Sequence, residues 1–373
     1  MRLTIVSGKN PFSAEPSGTL TYISGLIGAL SDKRIDIVVI GTEIDDAVQR
    51  EYNIHCIPIK MKNVTSISFL TKLMFKAPFL KLPKDSIIHG HRPDFMLPFV
   101  LFWRKNPKVC TLHGIPAVGI KTRKSYIIWR IYNFIERLTV GRIDKFIAVD
   151  QQTKHHYSKK RPALGDKIEV IPIGIDIKMF KPLDQRKMRE KYGFNQEEKI
   201  ILYIGRFSVE KGLDLLLKAF KDIKSEMSEA HLILLGEGLE EKRLRKIVET
   251  QGIEAVTFMN PVKHEKIPEI INCADVLALC SSYEGMPTVV LEALACGVPV
   301  VSTDVGDVKK VVNTKTGYLI KDVDLYSIKH AILKVIKNGK DNYSDNCLTA
   351  VMQYSWENIS LKITEIYDEI TNK

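Results

Sequence analysis

Short apolar runs alternate along the whole chain with longer segments of helical periodicity. In the first half the runs lie at 3–7, 35–40, 54–59, 86–90, 108–112, 145–149 and 168–172, and in the second at 199–204, 231–236, 256–259, 276–281, 298–302 and 317–320. Runs such as KIILYIG at 199–205 are almost continuously apolar, as expected for strands that helices cover on both faces. The alternation therefore predicts βαβ units around parallel sheets.

The chain of 373 residues is long enough for two domains at roughly 150 residues each. The strand pattern pauses at 171–182, where Gly and Pro appear, so we place a linker at about 174–182. The expected class is α/β, with two Rossmann-like doubly wound domains that face each other across a cleft. In such sheets ligands bind at the carboxyl ends of the strands. The last segment, 355–371, has isoleucines at helical spacing and predicts an amphipathic helix.

Composition narrows the class of protein. Hydrophobic residues make up 45% and charged residues 27%, which excludes a disordered tail or a low-complexity scaffold. The longest apolar run, 95–103, is about half of the ~20 residues that a bilayer-spanning helix needs. The amino terminus lacks the features of a signal peptide. The sequence thus predicts a cytoplasmic protein, and its six scattered cysteines are expected to be reduced core thiols.

The net charge of +11 is unevenly distributed. Residues 1–180 carry a net +13 and residues 181–373 a net −2, so the first half is expected to meet an acidic partner. Two segments, 60–84 and 121–138, interleave Lys and Arg with aromatic and aliphatic residues. Both fit helices that lie on an anionic bilayer, which would make the protein peripheral on the inner face of the plasma membrane. Core-packed helices with a solvated basic edge remain the alternative.

A first candidate site is IGRFSVEKG at 204–212, which joins a strand to a helix. The amino terminus of a helix attracts anions, and Arg206 and Lys211 add two cations at the same place. The segment has neither the spacing of a Walker loop nor that of a dinucleotide fingerprint. We expect it to hold an anion, most plausibly a diphosphate.

A second candidate is EGMPTVVLEALACGVPVVS at 284–302, in which Pro287 fits the first turn of a helix. One carboxylate can accept hydrogen bonds from two vicinal hydroxyls. Glu292 therefore fits the ribose of a nucleotide, and Glu284 fits the hydroxyls of a sugar. The spacing of eight residues between them recurs elsewhere in the chain and is not evidence by itself.

These strings, together with LLGEG at 234–238, resemble the donor-binding half of the family 4 retaining glycosyltransferases of GT-B architecture. TLHG at 111–114, IIHGHRP at 87–93 and IPIGID at 171–176 resemble further motifs of that family. The resemblance implies an acceptor-binding domain at 1–173, a donor-binding domain at 174–354, and a closing helix at 355–371 that packs back on the first domain.

The resemblance also implies roles for single residues. Arg206 and Lys211 would hold the diphosphate of a nucleotide sugar, Glu292 the ribose and Glu284 the transferred sugar, while His113 would contact the reacting centre. His91 could face the acceptor. The remaining implied donor contacts are Gly18, Gly236, Val262, Gly285, Met286, Thr288 and Val289. Two departures weaken the match: Ser17-Gly18 and Gly306-Asp307 stand where the family usually has Gly-Gly.

The implied activity is retaining transfer of a hexose to a hydroxyl of a glycan or lipid-linked acceptor, in polysaccharide, glycolipid or cell-surface glycan biosynthesis. Family frequency favours UDP over GDP as the donor nucleotide, and the leaving diphosphate would serve as base. No metal and no further cofactor are expected, because the Asp-x-Asp at Asp322 and Asp324 follows a late strand outside the proposed donor cleft. The nearest alternative is a GT-B sugar-nucleotide epimerase or phosphorylase. A nucleic-acid-binding protein is a distant alternative. The basic and aromatic segment 121–138 suggests it, but the sequence has no recognised nucleic-acid motif and no nucleic acid is expected as a partner.

Overall fold

The computed structural model describes residues 1–13, 17–31, 33, 35–61, 65–115 and 126–372. The strands, numbered along the chain, are β1 (Arg2–Val6), β2 (Asp36–Gly41), β3 (Ile54–Pro58), β4 (Ile87–Gly90), β5 (Lys108–Leu112), β6 (Lys145–Ala148), β7 (Ile168–Val170), β8 (Lys199–Ile204), β9 (Ala230–Leu235), β10 (Val256–Met259), β11 (Val276–Leu279), β12 (Val300–Thr303) and β13 (Gly317–Ile320). Every predicted apolar run therefore overlaps one of these strands.

The α-helices of the described residues are α1 (Gly18–Ser31), α2 (Asp46–Glu51), α3 (Ser66–Lys76), α4 (Leu97–Phe102), α5 (Tyr126–Val140), α6 (Gln151–Lys160), α7 (Gln185–Tyr192), α8 (Leu213–Glu226), α9 (Glu241–Thr250), α10 (Ile267–Cys273), α11 (Thr288–Ala295), α12 (Leu325–Asn338), α13 (Asp341–Val351) and α14 (Trp356–Thr371). None of the helices in this described part is long and apolar enough to cross a membrane.

The chain divides into two compact units. The first consists of Met1–Gly174 with Trp356–Lys373, and the second of Ile175–Ser355. The chain passes from the first unit to the second at 174–175 and returns at 355–356. These two points are adjacent, because Ile175 N donates to Tyr354 O at 2.8 Å and Ile175 forms a β-bridge with Ser355. The first unit is therefore built from two separate stretches of sequence.

The sheet of the first unit has the order β3-β2-β1-β4-β5-β6-β7, and its strands pair in parallel. Strand order reverses between β1 and β4, so the loops that follow these two strands diverge and leave a crevice at the carboxyl edge. The predicted parallel, doubly wound arrangement is confirmed here.

Helix α14 packs with the first unit although it is last in sequence. The four isoleucines that the sequence assigns to its apolar face, Ile359, Ile363, Ile366 and Ile370, are all buried. At its first residue, Trp356 lies against Gly25 of α1 and against Gly174, where a Cβ atom would fall 2.2 and 2.4 Å from the indole. The absence of a side chain at these two positions makes room for the indole.

The sheet of the second unit has the order β10-β9-β8-β11-β12-β13, again parallel throughout. Its reversal lies between β8 and β11, where the loops carrying IGRFSVEKG and EGMPTVV begin. Residues 200–203 of β8 are completely buried, which accounts for their uninterrupted apolar character. This second doubly wound sheet is also confirmed.

The two basic segments, 60–84 and 121–138, bury some of their apolar residues in the core. Phe69 and Leu73 of segment 60–84 are buried in the core of the first unit, as is Tyr132 of segment 121–138. For these three side chains the expectation of contact with a bilayer is wrong, because they fill the space between helices and sheet. Residues 62–64 and 121–125 of the two segments lie outside the described residues.

All six cysteines are buried and free, as predicted.

Candidate active site

Lys211 and Glu284 come together at the switch point of the second sheet. Lys211 ends the loop after β8 and Glu284 follows β11, the neighbouring strand. Lys211 Nζ donates to Glu284 Oε1 at 2.5 Å, and Ser281 Oγ donates to the same oxygen at 2.8 Å. A cation and a carboxylate are therefore held side by side where such sheets bind ligands.

Arg206 lies in the same loop as Lys211, with its side chain exposed to solvent. The backbone beneath it is fixed by Tyr203, whose hydroxyl donates to Arg206 O at 3.0 Å. Burial, followed by the nearby Glu284 carboxylate, raises the pKa of the Tyr203 phenol, so this donor stays protonated. This hydrogen bond ties the backbone of Arg206 to the end of β8.

Gly212 connects this loop to α8 in a left-handed conformation, with φ of +63°. A Cβ atom at this position would fall 2.2 Å from the carbonyl oxygen of Cys280, directly after β11. Only glycine fits both the backbone angle and the close approach. The predicted transition from strand to helix in this segment is confirmed.

Glu292 lies on α11 with 6% of its surface exposed. His264, in the loop after β10, approaches Glu292 Oε1 with its Nε2 at 3.3 Å. The hydrogen bond to Glu292 raises the pKa of His264, partly opposed by burial of the ring. Helix α11 begins at Thr288, so Pro287 is its N-cap residue rather than part of the first turn.

Sequence reasoning missed His264. It is two residues beyond Val262, which the sequence does assign to the donor, but nothing in the local pattern connects it with Glu292, 28 residues further along the chain. Its aromatic ring also lies 5.3 Å from that of Phe180, centroid to centroid. The pairing depends on the packing of the second unit.

Gly18 begins α1 in the first unit, and the other residues assigned to the donor belong to the second unit. Asp307 N donates to Gly285 O at 2.9 Å, so the loop that departs from the family pattern is nevertheless tied to the Glu284 segment. Gly236 follows β9, and its N donates to Met259 O at 3.0 Å. Val262, Met286 and Thr288 are half-buried, and Val289 is buried.

The first unit brings three histidines together at its own switch point. His91 follows β4 and His113 follows β5, and His91 Nδ1 lies 3.1 Å from His113 Nε2. His89 stacks on His91 with ring centroids 4.6 Å apart. His89 also contacts the Tyr367 hydroxyl of α14 at 2.6 Å and Thr111 Oγ1 at 2.7 Å. The sequence assigned roles to His113 and His91 separately, and the structure joins these two residues with His89.

A cavity of about 180 Å³ opens beside His91 and His113. It is lined by Thr19, His91, Arg92, Pro93, Leu112, His113, Gly114 and Tyr157. Within the described part of the chain, His91 Nε2 is buried and has no hydrogen-bond partner. Gly18 is the first residue of α1, directly before Thr19. The cavity could therefore accept a polar group that hydrogen-bonds to His91.

Burial keeps the three imidazoles neutral. It lowers the pKa of His89 and of His113 to about 3, and the pKa of His91 well below its ordinary value. Since the folded pKa values lie below the unfolded value of about 6.5, the unfolded chain takes up protons that the native chain refuses. The three neutral histidines therefore cost the native state nothing above about pH 6.5, and the free energy of unfolding decreases as the pH falls from there toward 3.

We expect the free energy of unfolding to fall between pH 6.5 and pH 5, by up to about 1.4 kcal/mol per pH unit for each histidine. Urea unfolding at several pH values measures the slope, and histidine NMR resonances assign it. His264 is the internal control, because its pKa is raised and it titrates in the native state. A midpoint above pH 6 for His89 or His113 would contradict the prediction.

Two doubly wound parallel sheets, each with polar side chains at its switch point, are the architecture of the GT-B glycosyltransferases. Solved structures share this fold over almost the whole chain. Sucrose-phosphate synthase (tll1590) from Thermosynechococcus elongatus superimposes with a TM-score of 0.81 and 21% identity, covering 100% of this chain and 99% of that one. Anabaena Alr3699/HepE, in complex with UDP and glucose, gives 0.77 and 19%, covering 99% and 100%.

Two sequence families divide the chain between them. Residues 16–178 match Glycosyltransferase Family 4, and residues 184–348 match Glycosyl transferases group 1. The chain belongs to the family 4 glycosyltransferases of GT-B fold, which confirms the family that the sequence motifs indicate. The capsular polysaccharide biosynthesis glycosyltransferase CapM of Staphylococcus aureus is 26% identical over 86% of each chain. With several other curated relatives, the match spans little more than half of their length, from 52% to 58%.

Proposed function

We propose that this protein transfers a hexosyl group from a nucleotide-diphosphate sugar to a hydroxyl of a glycan or lipid-linked acceptor, with retention of anomeric configuration. The reaction would serve the assembly of a polysaccharide, glycolipid or cell-surface glycan. The relative CapM is a glycosyltransferase of capsular polysaccharide biosynthesis, which supports the first of these. The observation that carries the proposal is the Lys211–Glu284 pair at the switch point of the second sheet.

Lys211 and Arg206 would bind the diphosphate of the donor. In the proposed step the bond between the anomeric carbon and the diphosphate breaks, so negative charge develops on the leaving group. A fixed cation stabilises such charge without reorganisation. Glu284 already orients Lys211, and its second carboxylate oxygen could accept hydroxyls of the transferred sugar. The Gly285 and Met286 backbone would complete this contact, with Gly236 and Val289 beside it.

Glu292 would accept both ribose hydroxyls of the nucleotide. Its carboxylate is buried, and among the described residues its hydrogen-bond partner is His264, at a long 3.3 Å. Ribose hydroxyls could replace or share that contact at modest cost, since the remaining lone pairs accept further donors. Val262 would lie beside the base, and Thr288 at the amino end of α11 would donate from its backbone.

The acceptor hydroxyl would enter the cavity beside His113 and His91. His91 Nε2 is a buried polar atom in the cavity wall, and a hydroxyl would satisfy it. A neutral imidazole can hydrogen-bond to a hydroxyl without placing a positive charge near the oxocarbenium-like sugar. The new bond would form on the face that the diphosphate leaves, and the acceptor proton would pass to the diphosphate. No metal ion takes part in this proposal.

The donor is tested by thermal stabilisation with UDP, GDP, ADP and their sugar conjugates in the presence of a chelator. We expect UDP compounds to stabilise most, in line with Anabaena Alr3699/HepE, which is in complex with UDP. A ligand at 100 times its dissociation constant should stabilise by about 2.7 kcal/mol. Glu292→Ala should abolish this shift, and Glu249→Ala, on an exposed face of α9, should preserve it.

Product analysis tests the reaction itself. Transfer of labelled sugar to an added glycan or lipid-linked acceptor, with the donor's anomeric configuration in the product, is the expected result. Conversion of the sugar nucleotide without any acceptor would indicate an epimerase instead, and release of a sugar phosphate would indicate a phosphorylase. No stabilisation by any nucleotide would contradict the proposed donor site.

A further inference from the structure

Helix α5 exposes an apolar stripe to solvent and buries a carboxylate on its opposite side. Ile131, Phe134 and Leu138, at helical spacing, are exposed, with 63% of Phe134 accessible to solvent. The opposite side of the helix buries Glu136, which pairs with Lys160 and lies 3.8 Å from Arg161. An ordinary surface helix turns its apolar stripe to the core. Here an apolar stripe points outward while a carboxylate points inward.

The end of α3 and the turn that follows it continue the same feature. Phe75 and Phe79 are 75% and 84% exposed, although Phe69 and Leu73 on the other side of α3 are buried. A third exposed phenylalanine, Phe102, ends α4, and α4 contacts both the turn Ala77–Phe79 and α5. We call Phe75, Phe79, Phe102, Ile131, Phe134 and Leu138 the apolar face. Its exposed side chains belong to adjoining elements of the first unit.

The charges around the apolar face are almost all positive. Stretches 65–115 and 126–142 contain eleven Lys and Arg but only three acidic residues. All three acidic residues are neutralised within the first unit: Asp85 by Arg2, Asp94 by Arg92, and Glu136 by Lys160. The exposed cations next to the apolar side chains include Lys72, Lys76, Arg104, Lys105, Arg130 and Arg137. The surroundings therefore attract an anionic partner.

We propose that the apolar face docks on the surface of an anionic lipid bilayer. The phenylalanine and isoleucine side chains would enter the headgroup layer, and the surrounding Lys and Arg would meet the lipid phosphates. A second copy of this chain is a poor occupant, because it would bring one basic surface against another. The proposal goes beyond sugar transfer and does not depend on it, since the face lies outside the proposed donor residues.

Vesicle sedimentation tests the proposal on the full chain. Vesicles of phosphatidylcholine with phosphatidylglycerol should bind the protein, and vesicles of phosphatidylcholine alone should bind it at least tenfold less. The double variants Phe75→Ser/Phe79→Ser and Ile131→Ser/Phe134→Ser should each lower binding about tenfold. Tyr326→Ser, at a residue of the second unit that is 76% exposed, is the matched control and should bind like the wild type.

Three results would overturn the proposal. The first is that the wild type does not sediment with anionic vesicles at low salt. The second is that both double variants bind these vesicles as tightly as the control. Sedimentation velocity could instead show a dimer that the double variants dissociate, which would assign the face to a second copy. Circular dichroism and the nucleotide-induced thermal shift should be unchanged in both double variants. That readout separates failure of the docking face from failure of the donor site.

Discussion

Lys211→Ala should lower the turnover rate by two or more orders of magnitude. Lys211 is the cation that Glu284 and the loop after β8 hold in place, and removing one preorganised group of this kind commonly costs about 2.7–4 kcal/mol in the transition state. Arg206→Ala should have a loss of the same order, because the proposed diphosphate needs both cations. Steady-state turnover at saturating donor measures the effect.

The matched control is Lys221→Ala, which removes an exposed lysine from α8 in the same unit. It should keep wild-type turnover. In Lys211→Ala, Glu284 retains Ser281 as a hydrogen-bond donor, so the fold should persist and the thermal midpoint should change little. Normal turnover in both Arg206→Ala and Lys211→Ala would exclude the assigned role, whatever their stability.

Gly212→Ala should destabilise the second unit by about 3 kcal/mol and also lower turnover. The change combines left-handed strain, roughly 1–2 kcal/mol, with overpacking against the Cys280 carbonyl oxygen, typically 1–3 kcal/mol. A Cβ atom 2.2 Å from that oxygen forces β8 and β11 apart at the point where Lys211 meets Glu284. Urea unfolding gives the first quantity, and turnover gives the second.

Gly252→Ala separates the two causes. Gly252 has a φ of +59°, close to the +63° of Gly212, but a Cβ atom there would meet nothing within 4 Å. It should therefore lower the free energy of unfolding only by the backbone strain, roughly 1–2 kcal/mol, and leave turnover unchanged. Equal destabilisation in Gly212→Ala and Gly252→Ala would show that the close approach to Cys280 does not contribute to the loss of stability.

The strands were predictable because burial on both faces leaves a signature that needs no knowledge of the fold. The same holds for the loop after β8, where the residues between strand and helix are local in sequence. The Lys211–Glu284 contact was inferred only as two separate sites, because it joins residues 73 positions apart. The parallel order of the strands brings them together.

The parts that sequence reasoning missed are set by tertiary packing. His264 gains its role from Glu292 on another element, and His89 is fixed by Tyr367, 278 residues away. Segment 60–84 shows the limit of composition most clearly. Its apolar residues look alike in sequence, yet Phe69 fills the core while Phe75, six positions on, is exposed. Only the direction in which each side chain leaves α3 distinguishes them.

The position of α14 in the first unit has a consequence for the order in which the protein folds during synthesis. The second unit is one continuous stretch and can fold as soon as residue 355 has left the ribosome. The first unit begins to emerge earlier, but its sixteen-residue helix α14 is synthesised only after the second unit. Until then the space for Trp356 stays empty and His89 lacks the Tyr367 hydroxyl. The unit whose synthesis starts first is thus completed after the second unit.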